Sequence, residues 1–275
     1  MDLNTVEGVV RPGARAELPA WRPGDAWLGG GTWLFSEPQP SLRRLVDLAG
    51  LGWAPLTVSD AGLEIAATCT IAELNRLAPP AAWTAAGLIG PCCRALLGSF
   101  KIWNAATVGG NLCLALPAGP MIALTAALDG TCTLWTPEGG ERPLSVLDFV
   151  RGPQETALRP GEILRSITLP IAGLTRRAAV RRISLTPGGR SGALVIGTLD
   201  AAGAFALTVT ASIRRPVQIA FPILPDEGAL QAALDENIPE RLVFHDMHGA
   251  PEWRRHMTRE LSLEIRSEFA GEGDP

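Results

Sequence analysis

The chain has 275 residues, enough for one large globular domain or two to three smaller ones. Hydrophobic residues make up 47% of the sequence and charged residues 19%, which excludes a disordered or fibrous chain. With 24 basic and 28 acidic residues the net charge is −4, the wrong sign for attraction to nucleic acid.

The cysteine and histidine patterns contain no recognisable metal site. Five cysteines form no CxxC pair, so we expect any iron–sulfur cluster to reside on another chain. Unpaired cysteines in apolar contexts favour a cytoplasmic location, and the first ten residues lack the basic start and apolar run of a secretory signal. Because too few ligands surround them, we interpret His245, His248 and His256 as solvated surface residues.

The first part of the chain predicts short elements around a glycine segment at residues 28–36. Residues 42–51 are typical of a short element that ends in a strand. Two strands are expected around a turn at residues 60–62. A helix over residues 71–77 follows, with Thr70 as N-cap and Glu73 completing a capping box.

The middle of the chain contains two apolar segments and a second glycine segment. Residues 83–97 predict one buried helix, and residues 104–113 form the second glycine segment. Residues 112–128 carry no charge, but Pro117 and Pro120 interrupt them near the start. We therefore expect a buried loop and a core helix there, with no membrane span. A hairpin over residues 131–149 and a strand over residues 161–170 complete this part.

The last hundred residues change in character. Residues 180–214 predict a meander of three strands, and residues 227–234 and 252–269 predict helices, the second with an apolar stripe. We place a domain boundary near Leu174, which gives one domain over residues 1–174, with subdomains of roughly residues 1–53 and 54–174, and a second domain over residues 175–275.

Two glycine segments carry the functional signal. Converging backbone N–H groups in a glycine-rich turn form an anion site, although a simple tight turn explains one such segment equally well. Known nucleotide motifs fail: Leu34 stands where GxGxxG needs glycine, and Lys101 is followed by Ile102 where a P-loop needs serine or threonine. The second segment also contains a threonine. Two such segments together suggest that a diphosphate is held between them, one on each side.

Five segments in this order resemble the FAD-binding medium subunit of molybdenum hydroxylases, the group of carbon monoxide dehydrogenase, xanthine dehydrogenase and aldehyde oxidoreductase. They are LGGGTWL, LVDL, ATVGGNLC, LDFVRGPQETAL and GEILRSITLP. The resemblance implies an α+β fold: a PCMH-type FAD-binding domain of two subdomains, then a small antiparallel sheet packed with helices.

The resemblance also implies which residues hold FAD. The diphosphate would lie between the two glycine segments, bound largely by backbone N–H groups with the Thr32 and Thr107 hydroxyls as further donors. Trp33, Trp103 and Leu164 are candidates for contact with the flavin. The full predicted set is Leu28, Gly29, Gly30, Gly31, Thr32, Trp33, Leu34, Trp103, Ala106, Thr107, Gly109, Gly110, Asn111, Leu164 and Arg182.

Three positions depart from the family pattern. Pro120 stands where many members have an aspartate, Trp103 replaces an arginine before the second segment, and Arg182 corresponds to a lysine near the flavin. Arginine keeps the charge of that lysine but has a different geometry.

The family also implies partners. A small subunit would carry two iron–sulfur clusters and a large one molybdenum with its pterin, and the expected assembly is a dimer of heterotrimers. This chain, with no catalytic residues of its own, would pass electrons from iron–sulfur to an external acceptor. A stand-alone FAD-dependent oxidoreductase of the same fold group and a scaffold whose glycine segments are only turns remain the alternatives.

Overall fold

A parallel three-stranded sheet carries the first glycine segment. The computed structural model describes residues 3–271; residues 1–2 and 272–275, at the ends of the predicted domains, lie outside that range. The sheet has the order β1-β3-β2, formed by β1 (Gly8–Val10), β2 (Asp25–Leu28) and β3 (Arg44–Asp47). Leu45 and Val46 of the central strand are buried. The glycine segment begins directly after β2, at its carboxyl end.

The predicted order of elements at residues 42–51 is wrong, because the strand comes first. After β3, Asp47 caps a 3-10 helix (Leu48–Leu51), its carboxylate accepting from the Ala49 N–H at 3.0 Å. Gly52 then ends this turn with φ of 60°. An aspartate cap followed by glycine is a helix start and stop signal, which explains the reversal.

An antiparallel five-stranded sheet forms the centre of the molecule. Its order is β4-β5-β10-β6-β7, and its strands are β4 (Leu56–Ser59), β5 (Gly62–Ala66), β6 (Thr131–Trp135), β7 (Glu141–Ser145) and β10 (Ile163–Pro170). A separate small hairpin joins β8 (Val150–Gly152) to β9 (Glu155–Thr156). The strands predicted around residues 60–62, the hairpin that begins at residue 131 and the strand that ends at Pro170 are therefore confirmed.

Short helices cover this sheet. They are α1 (Ile71–Asn75), α2 (Ile89–Ala95), α3 (Phe100–Trp103), α4 (Val108–Leu114), α5 (Pro120–Ala127), α6 (Val146–Phe149) and α7 (Ile171–Leu174). The predicted capping box of α1 is present, with the Glu73 N–H donating to Thr70 Oγ1 at 3.2 Å. Every residue of α5 is buried, as expected for a core helix after a loop. Among the described residues no helix is long and apolar enough to cross a membrane.

The single helix predicted over residues 83–97 is instead two elements. A 3-10 helix (Thr84–Leu88) precedes α2, which ends before Leu97, a residue with φ of 57°. Pro91 has no N–H to donate to the Gly87 carbonyl and is tolerated only in the first turn of a helix. A new helix therefore starts at Ile89.

The C-terminal part is a four-stranded antiparallel meander with two helices. Its elements are β11 (Arg177–Ile183), β12 (Ala193–Leu199), β13 (Phe205–Thr210), β14 (Val217–Phe221), α8 (Glu227–Asn237) and α9 (Pro251–Ala270). The three predicted strands and both helices are confirmed. The fourth strand, β14, was missed because Pro216 and Pro222 flank it and signal loops.

The meander is covered on both faces. On one face Leu194 and Ile196 join the same hydrophobic cluster as α5 and the central sheet. On the other, Val195 and Leu207 pack with residues of α8 and α9. Since the first cluster continues across Leu174, the division into domains at that residue stays a prediction.

Candidate cofactor site

The first glycine segment turns sharply away from β2. Gly31 has φ of 70°, a left-handed conformation that favours glycine, and a Cβ at this position would lie 2.4 Å from the Phe35 ring. The Phe35 N–H donates to the Gly31 carbonyl at 2.8 Å and closes the turn. The N–H groups of residues 30–33 donate to no acceptor in the described part of the chain, so they are available to a ligand.

The two glycine segments are in direct contact. A Cβ built on Gly30 would lie 1.5 Å from the Ala105 carbonyl oxygen, and one on Gly29 would lie 2.9 Å from Thr107 Oγ1. Any side chain at Gly30 would therefore push the segments apart. The close approach explains why side chains are absent at two consecutive positions.

The second segment is held by the chain itself. The Val108 N–H donates to the Cys69 carbonyl at 2.8 Å, and the Gly109 N–H donates to the Ala67 carbonyl at 3.0 Å. The Gly110 N–H donates to Thr107 Oγ1 at 3.0 Å. These amides are therefore occupied, and the expectation that this segment binds a diphosphate largely through its backbone has no support at these residues.

The side chains of Thr107 and Asn111 remain available in part. Thr107 Oγ1 accepts from Gly110 but its hydroxyl hydrogen has no acceptor among the described residues. Asn111 Oδ1 accepts from the Met121 N–H at 3.1 Å, which leaves its amide group as a donor. The second segment thus offers side-chain donors where the first offers backbone donors.

Both segments line one cavity of about 690 Å³. Of the predicted site residues it contains Leu28, Gly29, Gly30, Gly31, Thr32, Trp33, Leu34, Ala106, Thr107, Gly110 and Asn111. Ligand pockets for small molecules and cofactors span about 300–1,000 Å³. The cavity is therefore of a size that suits a dinucleotide.

Four predicted residues lie outside the cavity lining. Gly109 packs against Ala67, where a Cβ would have only 2.4 Å of space. Leu164 faces the core from β10 and is 3% exposed. Trp103 packs on the same core and its buried indole N–H has no acceptor in the described residues, while its neighbour Ile102 lines the cavity.

Arg182 faces a different, smaller cavity. Its guanidinium donates to Ser191 Oγ at 2.6 Å and to the Gly189 carbonyl, and it lines a cavity of about 250 Å³ with Arg94. These bonds hold the side chain toward the β11–β12 loop. Burial lowers the pKa of this guanidinium.

The cavity also contains residues outside the predicted site set. These are Trp27, Ile71, Ala95, Leu96, Leu97, Gly98, Ile102, Cys113, Leu114, Leu116, Ala118, Gly119, Pro120, Arg190 and His248. The residues at 113–120 directly follow the second glycine segment, a proximity that could have identified them. No local signal identified Arg190 or His248. His248, interpreted from the sequence as a surface residue, is half-buried and lines the cavity.

The electrostatic character of the cavity is positive. No carboxylate lines it, and Arg190 and His248 are the cationic or basic side chains in its described lining. Cys113 is exposed to the cavity, and a free thiol is protonated at neutral pH.

A fold that brings free amides, hydroxyls and aromatic surface to one cavity fits a flavin nucleotide. Gly29 and Gly30 let the two segments lie in contact around the cavity, and the N–H groups of residues 30–33 suit a diphosphate. Trp33, Leu34 and Ile102 supply apolar surface for the rings. The residues present therefore fit FAD.

Comparison with known proteins decides the family. A family model described as the FAD binding domain in molybdopterin dehydrogenase matches residues 14–172, more than half of the chain. The chain belongs to this family. The resemblance inferred from the five segments is thereby confirmed, and the chain carries an FAD-binding domain.

Curated relatives agree with this family. The FAD-binding subunit PaoB of an aldehyde oxidoreductase from Escherichia coli K12 is 31% identical over 220 residues, which cover 62% of this chain and 69% of PaoB. A glyceraldehyde dehydrogenase medium chain from Sulfolobus acidocaldarius is 33% identical over 75 residues. That alignment covers 27% of this chain and only 26% of the Sulfolobus protein.

Solved structures share the whole fold. Quinoline 2-oxidoreductase from Pseudomonas putida 86 contains a chain with a TM-score of 0.76 and 21% identity, covering 98% of this chain and 99% of its own. A chain of CO dehydrogenase from Oligotropha carboxidovorans has a TM-score of 0.77 and 22% identity, with 97% and 99% covered. The predicted α+β fold class is confirmed.

Proposed function

We propose that this chain is the FAD-carrying electron-transfer subunit of a heteromeric molybdenum-containing dehydrogenase. It takes electrons from a partner iron–sulfur subunit and passes them to an external acceptor, while substrate is oxidised on a large molybdopterin subunit. The observation that carries the proposal is the match over residues 14–172 together with the shared cavity of the two glycine segments. The relatives' names, a FAD-binding subunit and a medium chain, support a multisubunit assembly.

The proposed contacts follow from the free donors of the cavity. The N–H groups of residues 30–33 and the hydroxyls of Thr32 and Thr107 bind the diphosphate, and Leu28, Trp33 and Ile102 pack on the apolar rings. FAD, when bound, supplies one- and two-electron redox chemistry. The protein's part is to bind and orient the cofactor and to exclude water from the cavity.

The lining favours an electron carrier over a stand-alone oxidoreductase. Direct turnover of a substrate needs an acid–base group over the flavin, and the described lining contains no carboxylate. His248 is the remaining candidate for such a group. Turnover of a substrate by the isolated chain would favour the stand-alone alternative and contradict our proposal.

Release of cofactor from the purified protein tests the proposal. We expect the chain, alone or in its complex, to release FAD on denaturation, detected by its absorption spectrum and chromatography. We also expect it to co-purify with an iron–sulfur subunit and a large subunit when these are co-expressed. Absence of FAD from both the free chain and the complex would contradict the assignment.

A substitution at Gly30 tests the site itself. In Gly30→Ala the new Cβ would overlap the Ala105 carbonyl, so the segments must separate and FAD affinity should fall at least tenfold. Gly87→Ala is the matched control, because a Cβ there meets no atom within 4 Å. FAD titration and circular dichroism of both variants separate a local effect from unfolding. Unchanged FAD affinity in a folded Gly30→Ala protein would contradict the proposed site.

A further inference from the structure

Two basic side chains from the C-terminal part line the cavity, and the Arg190 guanidinium gives it positive charge. Arg190 lies in the loop between β11 and β12, and His248 lies in the loop before α9. Among the described residues, neither side chain has a hydrogen-bond or ion-pair partner. Both are therefore free to meet a ligand. We propose that Arg190 and His248 contact the diphosphate of the bound dinucleotide, Arg190 through its guanidinium and His248 through an imidazole N–H.

A buried arginine holds both loops in place. Arg254 is 1% exposed, and its guanidinium donates to the Gly249 carbonyl at 3.0 Å and to the Gly192 carbonyl at 2.6 Å. It also pairs with the Asp246 carboxylate, which accepts from the His248 N–H at 2.8 Å. One side chain thus binds both loops, at positions within two residues of Arg190 and of His248.

The same network reaches another part of the cavity lining. Arg254 donates to the Ala211 carbonyl at 2.7 Å, and the Ala211 N–H donates to the Pro117 carbonyl at 2.8 Å. Pro117 lies between Leu116 and Ala118, which both line the cavity. The two loops are therefore placed relative to the cavity wall by a continuous set of hydrogen bonds.

The loops also pack directly on each other. A Cβ on Gly192 would lie 3.2 Å from the His248 carbonyl oxygen and 2.3 Å from the Trp253 ring. This close approach brings the loop that carries Arg190 against the loop that carries His248. The two basic side chains therefore approach the cavity from adjoining segments.

Charge complementarity selects the diphosphate as the group contacted. The diphosphate is the part of FAD that is negatively charged at neutral pH. In the described lining Arg190 and His248 have no carboxylate competitor. Hydrogen bonds between ionised partners are roughly twice as strong as neutral ones. This inference rests on the proposed function and assigns the nucleotide a contact outside the matched residues 14–172.

The test measures binding of FAD, ADP and adenosine to protein freed of its cofactor. Arg190→Gln and His248→Gln should each weaken FAD and ADP binding by a similar factor, about tenfold for Arg190→Gln. Adenosine, which lacks phosphate, should bind as it does to the wild type. Arg190→Lys should restore most of the affinity because it keeps the charge. Arg215→Gln, an exposed arginine outside the cavity lining, is the matched control.

The outcomes separate this inference from the proposed function. Wild-type affinity for FAD and ADP in both glutamine variants would overturn the inference and leave the proposed function standing. Weaker FAD binding with unchanged ADP binding would also overturn it, because the contact would then lie on the flavin half. A wild-type chain that binds neither FAD nor ADP would overturn both. Circular dichroism of each variant establishes that it is folded.

Discussion

At the scale of single residues, one buried ion pair fixes the strand that leads to the first glycine segment. Asp25 begins β2, and its carboxylate accepts from the Arg44 guanidinium of β3 at 2.5 and 2.8 Å. It also accepts from the Arg22 N–H at 2.9 Å. The hydrogen bonds from Arg44 hold the pKa of Asp25 below its usual value and outweigh the opposing effect of burial.

Asp25→Asn should therefore destabilise the protein in a pH-dependent manner. At pH 7 we expect the free energy of unfolding to fall by about 2 kcal/mol, since hydrogen bonds to a charged group are lost. A lowered pKa in the folded state gives stability that is present above the unfolded-state pKa and lost as the pH falls through the folded-state pKa. The difference between wild type and variant should thus shrink below about pH 4.

Urea unfolding at pH 7 and at pH 3 measures this difference. Asp60→Asn, at an exposed turn residue, is the control and should differ little from wild type at either pH. A destabilisation by Asp25→Asn that is equal at both pH values would show that the ion pair does not contribute through its charge.

At the scale of elements, the sequence predicted correctly those helices and turns that are determined by interactions between nearby residues. The capping box of α1 and the turn at residues 60–62 both depend on residues within a few positions of one another. The wrong helix prediction over residues 83–97 and the missed strand β14 both arose where prolines gave a signal that conflicted with the rest of the pattern. Pro91 interrupts an apolar stretch that otherwise has helical spacing, and Pro216 and Pro222 hide β14, whose position depends on pairing with β13.

Thr107 shows how a local signal acts on both stability and binding. It is the N-cap of α4 and also lines the cavity. Thr107→Val keeps the shape of the side chain but removes the acceptor for the Gly110 N–H, which should cost about 1 kcal/mol of unfolding free energy. It also removes a proposed donor to FAD, so FAD affinity should fall.

Thr107→Ser is the matched control, because it keeps the hydroxyl in both roles. Urea unfolding and FAD titration of the two variants measure the two effects separately. If the valine and serine variants were equally stable, the Thr107 cap would not contribute to stability. If they bound FAD equally well, the proposed contact between Thr107 and FAD would be refuted.

At the scale of the whole molecule, the part of the site that sequence could not predict comes from distant loops. The composition of the glycine segments reveals them, but Arg190 and His248 lie in loops far along the chain, which Arg254 links by hydrogen bonds. Because sequence does not show which way a side chain faces, the predicted flavin contacts of Leu164 and Arg182 also lie outside the cavity lining. Their positions in the chain matched the family, yet their side chains face the core and a second cavity.

A cavity lined by both parts of the chain should respond to FAD as one unit. Because Arg190 and His248 line it together with residues 28–34, FAD binding should slow amide hydrogen exchange at residues 184–192 and 244–249 as well as at residues 28–36. Ligand binding at 100 times the dissociation constant stabilises a protein by about 2.7 kcal/mol. Exchange in α8, which packs on the far face of the meander, should change least at short labelling times. Mass spectrometry of peptides with and without FAD measures these rates. Protection confined to residues 28–36 and 104–113 would mean that the C-terminal loops take no part in binding.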